Sequence, residues 1–404
     1  MTVRNAIIEK IEALSRKSEK DIVALRRHFH AHPETSWNET ETSLRIEEEL
    51  RKLGCENIRR GFGGTDSGVV AEIAGGRPGR CVALRADIDA LPLNEENDVE
   101  YRSRRDGAMH ACGHDAHTAG LLGAARILTE IKGELKGRVR LLFQPAEEHG
   151  IKPGAKAMVD DGALSGVDAV FGLHVFTNLP SGTLMYRSGP IMAAADGWEL
   201  TISGKGGHGS APENAIDPTI AAFQIGNALQ TVISREVSPK DTAVLSIGSV
   251  TTSSTVFNII PERVEMKGTV RTFRPEVQDC VQSAIERVIA AVGQACRCGT
   301  ELRYTRFIPA TINDPETTEV LRAVAEELLG AEHVTEAPLM MGSEDFSYFG
   351  QVVPATFAHL GVGDPDREFT RMPHHSPKFD LDETQLRKAA ALHAAFAWRW
   401  LDRN

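Results

Sequence analysis

The fold turns on CVALRADIDALP, residues 81–92. Cys81 to Leu84 run without a polar break, and the charged Arg85, Asp87 and Asp89 come only where the apolar run ends. A short apolar run without alternation predicts a strand covered on both faces, as in parallel sheets. Two more runs have this form: GRVRLLFQPAEE at 137–148, ending in two carboxylates, and VDAVFGLHV at 167–175, ending at His174. TAGLLGAARILTEI, 118–131, lies between the first two and reads as a helix. Strands alternating with helices predict an α/β domain, a mostly parallel sheet flanked by helices. Ligands of such sheets collect beyond the carboxyl ends of the strands. Asp87, Glu147, Glu148 and His174 all fall at those ends.

Upstream, residues 7–34 have apolar positions at helical spacing and stop at Pro33. Downstream of about residue 190 the texture changes. GWELTISGKGG (197–207) alternates like a half-exposed strand, and a helical pattern follows at 218–235. Strand patterns at 243–252 and 262–273, a helix at 276–295 and a strand at 301–307 complete the order β-α-β-β-α-β. That order predicts two helices on one face of a four-stranded antiparallel sheet. Helical and strand patterns with metal-type residues then return. The expectation is one catalytic domain from 1–188 and 306–404, with an inserted domain at 189–305.

The bulk numbers agree with a two-domain soluble enzyme. A chain of 404 residues exceeds one ordinary core, and 41% hydrophobic with 25% charged residues is a globular composition. A net charge of −11 argues against nucleic acid or an anionic membrane as partner. No apolar run is long enough for a membrane span, and the polar start does not read as a secretory signal. The six cysteines are scattered, unlike a disulfide framework, so the expected location is cytoplasmic.

Chemistry concentrates in MHACGHDAHTAG, 109–120, just before a helix. A thiolate and an imidazole two residues apart, separated by a glycine, can reach one or two divalent ions. Alone, Cys112 and His114 read as readily as a buried cysteine beside a capping histidine, or as a thiol nucleophile with its base. Glu147-Glu148 shifts the balance. Adjacent carboxylates closing an apolar strand call for a positive partner, and one can bind metal while the other takes a proton from water. His174 ends a strand too apolar for an unpaired imidazole, and RMPHHSPKFD supplies His374 and His375 in a proline-fenced loop. Cys112, His114, Glu148, His174 and one late histidine suffice for a two-metal hydrolytic centre, with a thiolate or carboxylate bridging.

RRHFHAHPE, ALRADIDALP, MHACGHDAHTAGLLGAA, FQPAEE, GLHV, GKGGHGSAPENAIDP, MGSEDFSYF and HHSPKFD occur here in one order between about residues 26 and 380. In this the chain resembles the aminoacylase/hippurate hydrolase family, which includes plant auxin-conjugate amidohydrolases and bacterial N-acyl-amino-acid carboxypeptidases. The resemblance implies an aminopeptidase/phosphorylase-like catalytic domain and an inserted ferredoxin-like α+β dimerisation domain. It implies hydrolysis of the amide bond of N-acyl-L-amino acids, or alternatively carboxypeptidase or dipeptidase action on short or N-blocked peptides. It makes Cys112, His114, Glu148, His174 and His375 the metal ligands and Glu147 the general base. His375-Ser376-Pro377 fits the family's His-x-Pro motif, which favours His375 over His374. Asp87 resembles the carboxylate that orients a ligand histidine.

The same resemblance implies that His208 stabilises the oxyanion from the partner subunit of a dimer, or of a dimer-based tetramer, with Asn258 beside it at the substrate carboxylate. The wider superfamily bridges its ions with an aspartate and carries His-x-Asp on the first site strand. Here the bridge position is Cys112, and the strand reads Arg85-Ala86-Asp87. Two divalent ions are implied: the soft thiolate favours zinc, while members of the branch also hold manganese, cobalt or nickel. Glu344 reads as a residue of the site wall. His28, His30 and His32 read as helix-end packing and capping, His117 as structural, and Cys296-x-Cys298 as inert.

Overall fold

The computed structural model describes residues 3–403. The chain opens with α1 (Val3–Ala31) and α2 (Thr40–Lys52), then β1 (Glu56–Arg60), β2 (Val69–Ala74) and β3 (Arg77–Asp87). Next come α3 (His114–Glu130), β4 (Lys136–Gln144), α4 (Gly154–Asp160), β5 (Ala169–Pro180) and β6 (Leu184–Tyr186). The middle of the chain forms β7 (Ala194–Ser203), α5 (Pro218–Glu236), β8 (Ala243–Thr252), β9 (Arg263–Thr272), α6 (Pro275–Ala295) and β10 (Gly299–Ile308). It closes with α7 (Pro315–Leu329), β11 (Val334–Glu336), β12 (Ala355–Gly363) and α8 (Leu386–Arg403).

Two compact units result. The first holds the chain up to Ile191, Ile312–Pro338 and everything from Asp345; the second holds Met192–Thr311 and Leu339–Glu344. The short 339–344 segment joins the second unit because the Ala193 N–H donates to the carbonyls of Met340 and Gly342, both at 3.0 Å. Sequence patterning carries no trace of that pairing.

In the first unit the sheet runs β1-β2-β4-β3-β5-β12-β6-β11. Its centre, β4-β3-β5-β12, is parallel throughout, which is why those strands are apolar on both faces. β1 and β2 are antiparallel additions at one edge. Helix α3 lies in the core, packed against α1 and α8. Small residues allow the close approach: a Cβ on Gly123 would meet Ile22 at 2.7 Å and Ala390 at 3.0 Å. Leu121, Leu122, Ile127 and Leu128 are fully or almost fully buried, each worth roughly 1.5–3 kcal/mol. The helix that begins at His114 is thereby anchored along its length.

The second unit is a four-stranded antiparallel sheet in the order β8-β9-β7-β10. Both its helices contribute to one core, with Ile225, Leu229, Val281 and Ile285 packed with Trp198, Leu200, Val264 and Val270. Asp217 caps α5 by accepting from the Thr219 N–H, and proline fills the first helical turn. The expected fold class, a mostly parallel α/β sheet with a ferredoxin-like companion, is the one the chain adopts. All six cysteines are free. No helix among the described residues is long and apolar enough to cross a membrane.

Candidate metal centre

β3, β4 and β5 end on one side of the sheet, and the loops after them meet the start of α3. Gly113 precedes that helix with φ 92, a left-handed conformation that glycine accepts freely. A Cβ there would also strike Val175 Cγ2 at 2.5 Å. The turn sets Cys112 and His114 on either side of Gly113. His375, itself left-handed at φ 65, is tied in when its N–H donates to the Ala111 carbonyl at 2.8 Å.

Two donor sets form, and they share one atom. Cys112, His114 and His174 place Sγ and ring nitrogens within 4.8 Å of one another, as do Cys112, Glu148 and His375. Cys112 Sγ is 3.4 Å from His174 Nε2, and His375 Nε2 is 3.2 Å from Glu148 Oε1. Glu147 groups with His114 and Glu148 at the same spacing.

Hydrogen bonds fix which nitrogen of each ring is free. His114 Nδ1 faces the Asp89 carbonyl at 2.9 Å and Asp89 Oδ1 at 3.1 Å; both only accept, so Nδ1 carries the proton. Its Nε2 is buried without a hydrogen-bond partner among the described residues. His174 Nδ1 donates to the Val175 carbonyl at 2.7 Å, leaving Nε2 for Cys112. His117 is different. Its Nε2 accepts from the Val175 N–H at 2.8 Å and its Nδ1 donates to Asp87 at 2.5 Å, so neither nitrogen remains for a metal. His374 donates Nε2–H to the Val175 carbonyl at 2.9 Å and packs against Phe176, the two rings tilted at 51°.

The electrostatics ask for a cation. Burial disfavours a charged His114, yet Asp87, Asp89 and Glu148 outweigh it and push the imidazole up to about 10. Burial, Glu148, Glu147 and Asp87 all drive the Cys112 thiol well above its ordinary value. Burial together with His117 and His374 keeps His174 neutral. Concentrated negative charge, an orphaned imidazole nitrogen and a thiol are a donor set that suits divalent metal.

Sequence reading put Asp87 behind a ligand imidazole. In the structure Asp89 occupies that place for His114, while Asp87 binds His117 and pairs with Arg85 at 2.9 Å, its Oδ2 lying 3.6 Å from His114 Nε2. The two aspartates are two residues apart on one strand end, so sequence alone could not separate them. Asp89 was the residue missed. His30 is also more than end packing: it is fully buried, with Nδ1 2.8 Å from Asp115 and Nε2 3.2 Å from Glu95. His208 and Asn258 lie in the second unit, where His208 pairs with Ile259 and the Gly209 N–H donates to the Asn258 carbonyl at 2.8 Å. Ser210 N–H donates to His208 Nδ1 at 3.1 Å, so the neutral ring of this exposed histidine carries its proton on Nε2. Glu344 also belongs to the second unit.

Two candidate donor sets that share the Cys112 sulfur, at the carboxyl ends of parallel strands, are the arrangement of a dinuclear metallohydrolase. The family model described as peptidase family M20/M25/M40 matches residues 83–399, and the chain belongs to that family. It is 42% identical over 386 residues to N-acetyl-L-cysteine deacetylase of Bacillus subtilis, covering 96% of this chain and 89% of that one. It is 40% identical over 392 residues to thermostable carboxypeptidase 1 of Saccharolobus solfataricus, covering 97% and 98%. A Bacillus subtilis crystal structure described as a dinuclear metal binding peptidase of the M20 family superposes with a TM-score of 0.84 at 35% identity, covering 96% of this chain and 99% of that one. The protein is thus a hydrolase of the amidohydrolase and carboxypeptidase type, and two divalent ions are supported by the ligand sets and by this neighbour.

Proposed function

We propose that the protein hydrolyses the amide bond of N-acyl-L-amino acids, releasing a carboxylic acid and a free amino acid. The observation that carries this is the pair of ligand sets meeting at Cys112 with Glu147 beside them. Cys112, His114 and His174 would hold one ion, and Cys112, Glu148 and His375 the other. Two divalent ions held there supply Lewis-acid charge and lower the pKa of a water molecule. Zinc suits the thiolate best; manganese, cobalt and nickel are the other candidates. Glu147 takes the proton from the attacking water and returns it to the leaving amine. His208 of the partner subunit offers Nε2–H to the developing oxyanion, and Asn258 binds at the substrate carboxylate. Asp87 acts at one remove, holding His117 against the strand residue next to His174.

The two domains are read as a catalytic domain and an inserted dimerisation domain. Ile220 and Phe223 on α5 and Val244 and Val250 on the edge strand β8 are exposed apolar groups. Exposed apolar groups along an edge strand and its neighbouring helix favour pairing with a second copy, as a dimer or a dimer-based tetramer. A cytoplasmic location fits the free thiols. Action on short or N-blocked peptides is the second reading, favoured by the likeness to the carboxypeptidase.

The test is release of amino acid from a panel of N-acetyl, N-benzoyl and longer N-acyl amino acids, with and without chelator. Glu147→Gln is expected to keep its metal while kcat falls about 10²–10⁴-fold. Near-normal turnover in that variant, or chelator-resistant turnover in the wild type, rejects the assignment.

A further inference from the structure

The turn that carries Glu147 and Glu148 is shaped by residues outside the ligand set. Ala146 stands before it at φ 50, a left-handed conformation that a side chain resists. Its N–H donates to Oε1 of the fully buried Glu39 at 2.8 Å, and its carbonyl accepts from the Gly154 N–H at 3.1 Å. The next two peptide N–H groups then converge on one carboxylate. Glu147 N–H donates to Asp89 Oδ1 at 3.2 Å, and Glu148 N–H to Asp89 Oδ2 at 3.0 Å. The Ser36 hydroxyl donates to the same Oδ2 at 2.7 Å. Asp89 is 1% exposed, so these bonds have little competition from water.

We propose that Asp89 is the positioning residue of the Glu147–Glu148 turn, and that Ser36 and Glu39, from the HPETSWNE segment, brace it there. The inference rests on the reading of Glu147 as base and Glu148 as ligand. Asp89 also faces His114 Nδ1, but that ring has a second acceptor in the Asp89 main-chain carbonyl. The two turn N–H groups depend on the carboxylate. An asparagine can offer them one oxygen, and its NH₂ would face the other donor. Removing the charge therefore disturbs Glu147 and Glu148 more than it disturbs His114.

Cobalt(II), titrated into metal-free protein and followed by its visible absorption, reads the two ligand sets separately from turnover. The softer Cys112–His114–His174 set fills first. Asp89→Asn is expected to bind the first equivalent as the wild type does and the second about 10–100-fold more weakly. Its kcat should fall by about the same factor with KM within about twofold, the mark of a misplaced base and not a lost substrate contact. Loss of both equivalents alike, loss of the first only, or unchanged binding overturns the proposal. If Asp89→Asn does not fold, Ser36→Ala decides, since it removes one donor and leaves the carboxylate. There kcat should fall about 2–10-fold at constant KM, and wild-type kcat and cobalt affinity overturn the idea. Should the wild type bind two cobalt ions but cleave no N-acyl amino acid, the functional reading fails while the Asp89→Asn titration still decides the positioning role.

Discussion

His117 has both ring nitrogens engaged inside the protein, whereas His114 and His174 each hold one proton against an oxygen and keep one lone pair free. That difference leaves His114 and His174 open to serve as the proposed ligands and His117 as a prop, and it depends on hydrogen-bond direction, to which sequence spacing is blind. The two histidines of HHSP differ in what each ring faces. His374 is occupied by the Val175 carbonyl and lowered to about 4, chiefly by burial, while His375 reaches Glu148. His375→Ala is expected to lose one of two metal equivalents and to lower kcat by about 10²-fold or more. His374→Ala should retain both equivalents. Metal content by elemental analysis checks the pair, and the opposite pattern reverses the assignment.

At the scale of elements, α3 and α8 decide how firmly the ligands are held. The alanine- and glycine-rich pattern of 118–131 identified α3 as a helix in the sequence. Its glycine contacts with α1 and α8 emerge only once the chain is folded, because they join residues a hundred or more positions apart. On α8, His393 packs edge-on against Phe171 with ring centroids 4.8 Å apart, and burial first of all pushes it down to about 3. The unfolded chain takes up that proton near pH 6.5, but the folded one does so only near pH 3. Stability from this site is therefore complete above about pH 6.5 and is lost as pH falls toward 3. At pH 5 the cost is about 2 kcal/mol. His393→Leu should remove it, so that urea denaturation at pH 5 and pH 8 differs less in the variant than in the wild type. Equal pH dependence in the two proteins contradicts the assignment.

For the whole molecule, the proposed role of His208 makes the active site a property of the dimer. Glu147→Gln and His208→Ala subunits should each be inactive as homodimers. Co-expressed in equal amounts they form heterodimers, half of the population, each with one complete site. About a quarter of wild-type activity should return. No recovery would mean that His208 serves its own subunit or does not act in the reaction. The boundary of the second unit carries a related lesson. Leu339–Glu344 joins it through backbone hydrogen bonds to Ala193, and backbone pairing at long range leaves no compositional mark.

From the residues alone follow the α/β class, a β-α-β-β-α-β segment in the middle of the chain and the candidate residue types of a metal centre. Apolar periodicity dictates strands and helices locally, and carboxylates, imidazoles and a thiol at strand ends are too costly to bury without a partner. It takes the folded chain to place Asp89, not Asp87, against His114 Nδ1, to set His374 against a carbonyl, and to bring both candidate donor sets to Cys112. Those distinctions lie in the direction of single hydrogen bonds between segments far apart in the chain, where a shift of one or two residues along a strand changes the partner.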